Sequence, residues 1–181
     1  FAGGMPEKLC SVQRFVPSSK PMMEISHEQF AEGKSVEDVK RSFDQRSLIR
    51  GSILMWLTFE NDGHMGNVVG ACTRLDERGN RVFWATKVDN SFTFPEENVG
   101  LRNNLVFWLN GDEKLGKEEI DLINGIDVER VAEEMRALRF SEKSIDAFSV
   151  RVEHLKNLIN KNENICEINR QMGALAIGKK T

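Results

Sequence analysis

Arg74, Arg78 and Arg81 crowd one short stretch of this sequence, and guanidinium groups gathered in this way can contact phosphates. Between them, Asp76-Glu77-Arg78-Gly79-Asn80 is a hairpin turn signal, so the three arginines bracket a tip. Lys40, Arg41, Arg46 and Arg50 form a second basic cluster on a helical stretch. Asp76 and Glu77 lie inside the first cluster and Asp44 inside the second, so local neutralisation competes with phosphate binding. The expected partner of the arginine hairpin is RNA, or another acidic molecule, held with an affinity that falls as salt rises.

Other chemistry is harder to assemble. The three histidines stand apart: His27 at a helix start, His64 at a turn tip, His154 beside Leu155 in the last long helical stretch. His-Glu-x-x-His, Cys-x-x-Cys, Gly-x-Ser-x-Gly and a phosphate-binding glycine loop do not occur. Asp62 and His64 would meet Asp112 and Glu113 if two turns shared a sheet end, but solvated turn residues account for them far better. Cys10, Cys72 and Cys166 are odd in number and far apart, neither a disulfide framework nor a zinc site. Cys72, amid Val69, Ala71 and Thr73, reads as a buried, inert thiol. The expectation is a non-enzymatic protein with no catalytic set, no metal site and no cofactor.

Trp56, Trp84 and Trp108 each fall in a different expected strand, and period 2 lets them share one sheet face. Their aliphatic neighbours favour a core cluster over a stacking platform for a nucleobase.

The most specific pattern is in the C-terminal part. Ile145, Phe148, Val152, Leu155 and Ile159 alternate at spacings of three and four, and the count continues through Asn162, Cys166 and Asn169. That is a coiled-coil seam, in which polar positions set register. Unbroken from Glu142 to Met172, such a helix is ~46 Å long at 1.5 Å per residue, too long for a small domain to cover. Self-association through this helix is the first functional expectation, as in a viral structural or adaptor protein. The alternative partner lies within the chain, since Val128, Val131, Met135 and Leu138 supply a matching stripe that turns back at Phe140-Ser141.

These residues need a scaffold, and the chain's periodicity outlines one. Ser26-His27-Glu28-Gln29 has the form of a capping box closed by Gly33, and Ser35 opens a helix running through Val36, Val39 and Phe43 to about Ile49. The apolar run Ser52–Phe59 reads as a strand buried on both faces, followed by strands at Val68–Leu75 and Arg81–Val88. Ser91–Phe94 is a short edge strand and Leu101–Leu109 closes the set, with Asn110-Gly111-Asp112 as its turn. Helices follow at Lys117–Ile123, after Asp127 and after Ser141. The expected class is α+β. An antiparallel sheet of about four to five strands (residues 52–109) is flanked by N-terminal helices and a C-terminal helical segment ending in a long helix.

Residues 1–4 read as an expression scar, 5–116 as the sheet domain and 117–181 as a helical segment packed on it or projecting. The stretch from Ile49 to Arg78, ending in Leu75-Asp76-Glu77-Arg78, resembles the central strand–Asp-x-Arg pattern of plant-virus movement proteins over about a sixth of the chain. Those proteins continue with further strands where this chain turns helical. The resemblance implies a movement- or nucleoprotein-like role and carries over no residue.

Composition limits the remaining classes. The 181 residues are 40% hydrophobic and 29% charged with a net charge of −3, the balance of one ordinary folded unit. No apolar run approaches the ~18 residues of a membrane span. With no Asn-x-Ser/Thr acceptor and no signal-peptide pattern, the expected setting is intracellular, in cytoplasm or nucleus.

Overall fold

The computed structural model describes residues 18–59, 63–88, 94–96, 101–109, 113–161 and 164–175. Along them run β1 (Lys20–Pro21), α1 (Met22–Ala31), α2 (Val36–Arg41), α3 (Gln45–Thr58), β2 (Val68–Leu75) and β3 (Arg81–Lys87). They are followed by α4 (Lys117–Asn124), α5 (Val128–Ala137), α6 (Glu142–Asn160) and α7 (Ile165–Ala174). Short 3-10 turns lie at Met65–Asn67 and Asn104–Trp108. The class is α+β, and the sheet is antiparallel in the order β1-β2-β3. Among the described residues it has three strands rather than four to five: two of the expected strands are helical, one lies mostly outside the description, and β1 joins as a strand that the sequence pattern did not show.

The largest correction concerns Ser52–Phe59, which is the second half of α3. Asp44 starts that helix, its carboxylate accepting the Ser47 N–H at 3.0 Å. The expected helix through Phe43 to Ile49 is accordingly split at Ser42–Asp44. Leu48, Ile49, Ile53, Met55 and Trp56 are all buried, as are Ser47 and Ser52. A helix covered on most of its circumference shows no amphipathic period, so its apolar run imitates a doubly buried strand. The movement-protein likeness loses its first strand here. Leu101–Leu109 is likewise not a strand: its 3-10 turn buries Leu105 and Trp108 and leaves Phe107 65% exposed.

The N-terminal helix also begins earlier than its capping-box pattern implies. Ser26 lies inside α1 and its hydroxyl donates to the Met22 carbonyl at 2.8 Å. The β2–β3 hairpin agrees with expectation, with Asp76–Asn80 as its loop and Gly79 at a φ of +78°. β2 runs on past the core, so Cys72 is exposed, not buried as expected.

The outer edge of β3 is occupied by the α2–α3 junction. Phe83 donates its N–H to the Ser42 carbonyl at 2.8 Å, and its own carbonyl accepts the Asp44 N–H at 2.8 Å. Ala85 N–H donates to the Ser47 hydroxyl at 2.9 Å. On the inner face α1 comes close at Gly70, where a Cβ would stand 2.6 Å from Ile25 Cδ1.

The long C-terminal helix is interrupted. α6 ends at Asn160, and α7 starts afresh behind Asn164, whose side chain accepts the Glu167 N–H at 2.8 Å. One apolar core contains Met22, Phe43, Trp56, Leu155 and Met172, so the sheet-bearing and helical segments share it. A second cluster joins Ala132 and Met135 of α5 to Ile145, Phe148 and Val152 of α6. The α5–α6 hairpin is thus the intramolecular alternative described above.

In α7, Arg170 and Gln171 hydrogen-bond the Glu167 carboxylate and hold its pKa at about 2, below the ordinary 4.5. A depressed carboxyl pKa gives stability that is complete above the unfolded value and is lost as pH falls toward the folded one. Thermal melts of the wild type should therefore lose stability between about pH 4.5 and 2. Glu167→Gln should flatten that part of the profile, and equal slopes would refute the assignment.

Candidate nucleic-acid interface

The hairpin tip and the α1–α2 region face each other across a groove of about 750 Å³. One wall is the end of the hairpin, with Arg74, Arg78 and Arg81. The other is helical, with Lys34 just past the end of α1, then Asp38 and Arg41 of α2. The floor is Gln29 and Ser42, both buried, with Gln29 Nε2 donating to Ser42 Oγ at 2.8 Å. Ser42 Oγ in turn donates to the Val39 carbonyl at 2.7 Å. This floor and the Ser42–Phe83 backbone bond tie α1, α2 and β3 into one rigid base.

Five cations line the groove against three carboxylates, Asp38, Asp76 and Glu77. Asp76 is engaged by the turn: the Asn80 side chain and the Asn80 and Arg78 N–H groups donate to its carboxylate and hold its pKa below the usual carboxylate range. Asp38 is held low chiefly by Ser35, whose hydroxyl donates to it at 2.7 Å, and lies 4.0 Å from Arg41. Arg74 lies 3.5 Å from Asp44 with most of its side chain in solvent. Lys34 donates to Gln29 Oε1 at 3.3 Å and pairs with Glu32 at 3.4 Å. Among the described residues Arg78 and Arg81 form no ion pair, although the Arg78 charge helps to hold the Asp38 and Asp76 carboxyls low, so neutralisation at the tip is partial.

The three expected site arginines are therefore brought together, joined by two cations that spacing did not connect to them. Lys34 and Ser42 carried no sequence signal, and Gln29 only that of a capping box. The second basic cluster divides. Arg41 joins the groove, while Arg46 and Arg50 are claimed by Glu118 and the buried Glu119 of α4, with Arg46 Nε 3.4 Å and Arg50 Nε 3.5 Å from Glu119. Lys40 sits over the Phe107 ring, 4.8 Å from its centroid.

The self-association seam does not face outward. Ile145, Phe148, Val152, Leu155 and Ile159 are buried by the chain's own helices, and Asn162 lies outside the described residues. Asn169, expected to set register, accepts the Trp56 indole N–H at 2.8 Å. Trp56 and Trp108 are core residues on helical elements, and only Trp84 lies in a strand, 37% exposed, so no shared tryptophan face forms.

His64 caps a 3-10 turn, its Nδ1 accepting the Gly66 N–H at 3.0 Å. Asp62 and Asp112 fall outside the description, as do Cys10, residues 91–93 and the Asn110–Asp112 turn. Among the described residues no three His, Cys, Asp or Glu side chains gather to hold a metal ion, and no helix is long and apolar enough to cross a membrane. No protein-family model matches the chain, and no curated protein matches it.

Proposed function

We propose that this chain is a non-enzymatic RNA-binding protein that holds phosphates in the groove between its arginine hairpin and α2. The observation that carries this reading is the pair Arg78 and Arg81, exposed and, among the described residues, in no ion pair, on a groove lined by five cations and three carboxylates. Guanidinium groups are suited to phosphate because two parallel N–H donors match two oxygens. The overall charge of −3 adds no long-range attraction, so affinity must come from this local field.

Band-shift or anisotropy measurements with an oligoribonucleotide should show binding that weakens steeply between about 50 and 200 mM salt. Replacing Arg78 and Arg81 together with Gln should weaken binding about tenfold and reduce the logarithmic salt slope by about 0.7 per arginine on a single strand. Both residues are on the surface, so the melting temperature should be unchanged. Salt-insensitive binding, an unaffected double variant, or equal displacement of the RNA by polyglutamate would refute it, the last in favour of an acidic protein partner.

A further inference from the structure

We infer that the groove takes a single strand, backbone first, and admits no duplex; this rests on the nucleic-acid reading above. The cations occupy two facing walls, Lys34 and Arg41 on the helical side and Arg74, Arg78 and Arg81 on the hairpin side. They also lie at different depths. Lys34 is the most covered of those whose exposure decides the matter, 35% exposed against 68% for Arg41 and 63% for Arg74, and its ammonium is anchored to the Gln29 amide of the buried floor. A ligand that enters between the walls meets Lys34 beside the floor.

A duplex is read by protein elements that enter its own grooves, of which the major groove is about 12 Å wide. The convex duplex meets the projecting tip arginines but stops short of the floor. A volume of about 750 Å³ is that of an ordinary ligand cleft, and it accepts a short stretch of one strand. The character of the floor sets which side of the strand enters. Single-strand grooves that grip bases offer aromatic faces for stacking. This floor has no aromatic face: it is the Gln29 amide, with one N–H given to Ser42, and the Ser42 hydroxyl, whose proton is given to the Val39 carbonyl, beside the Lys34 ammonium. The second Gln29 amide proton and the Lys34 ammonium suit phosphate oxygens, so the bases face away from the floor and sequence preference is weak.

The test is fluorescence anisotropy on the full chain, with a labelled oligoribonucleotide of about 15 nucleotides, long enough to span such a groove. The probes are a mixed single strand, the same strand annealed to its complement, and single-stranded oligo-U. The mixed strand should bind about tenfold tighter than its duplex, and oligo-U should match it within about threefold. Lys34→Gln should weaken single-strand binding severalfold and leave the residual duplex affinity unchanged, whereas Arg78→Gln with Arg81→Gln should weaken both. Duplex binding as tight as single-strand binding, or an equal effect of Lys34→Gln on the two, overturns the single-strand inference while the phosphate groove stands. A preference for one base beyond tenfold overturns the backbone-first orientation. Absence of salt-dependent binding to every probe removes the nucleic-acid reading itself.

Discussion

Leu155→Asp should leave this protein without a stable fold. Leu155 is fully buried in the main core, among residues drawn from both ends of the chain. Removing a buried leucine side chain costs about 2–5 kcal/mol. An aspartate adds the several kcal/mol needed to take a carboxylate out of water, or to protonate it there. Against a typical total of about 5–15 kcal/mol, the sum takes most or all of the stability. Far-UV circular dichroism and urea titration check this directly. Val150→Asp is the control, since Val150 lies on the same helix and is 46% exposed, and it should shift stability by less than about 0.5 kcal/mol. Were the α6 stripe an interface between chains, Leu155→Asp would give a folded protein of lower mass by light scattering. A folded variant of any mass contradicts the burial described here.

Arg151→Ala should cost about 3 kcal/mol, a large loss for one polar residue. Arg151 is fully buried on α6, and its Nη2 donates to the Pro95 carbonyl at 2.7 Å. Its guanidinium carbon lies 5.0 Å from the centroid of the Phe59 ring, just past the end of α3. Burial pushes its pKa down to about 10, so it remains charged at neutral pH. A hydrogen bond to a charged group is worth about 1.5–3 kcal/mol, and a desolvated cation–π contact about 2. The charge's own desolvation cost offsets part of that, which brings the net to the figure given. Arg151→Lys should recover only part of the loss, because an ammonium lacks the planar fork that bonds Pro95 while stacking on Phe59. Equal urea midpoints for wild type and Arg151→Ala would disprove the assignment.

Helix starts were the most legible part of the fold. Ser35, Asp127 and Ser141 cap α2, α5 and α6, each accepting a backbone N–H three residues on. The hairpin was legible because Asp76–Asn80 is a local solution to a turn, independent of the rest of the molecule. α3 was not, although Asp44-x-x-Ser47 marks its start, because its burial erased the period that separates helix from strand. The break in the last helix had a comparable marker in Asn164-x-x-Glu167, overridden by a seam count that ran on through it. The groove was half legible. Three arginines on one tip follow from spacing, whereas Arg46 and Arg50 lose their availability to Glu118 and Glu119 about seventy residues away, and Lys34 gains its place through Gln29. Such pairings depend on how helices dock, which local spacing does not encode.

The junction of α2 and α3 also decides how this sheet behaves in a crowd. By occupying both backbone groups of Phe83 and the amide of Ala85, it closes one border to strands from neighbouring molecules. Among the described residues β1 covers only Val69 and Gly70 on the other border, so cross-β polymerisation is left a single lane along the rest of β2. Arg74 stands in that lane, and a charge there acts as a gatekeeper against templated growth.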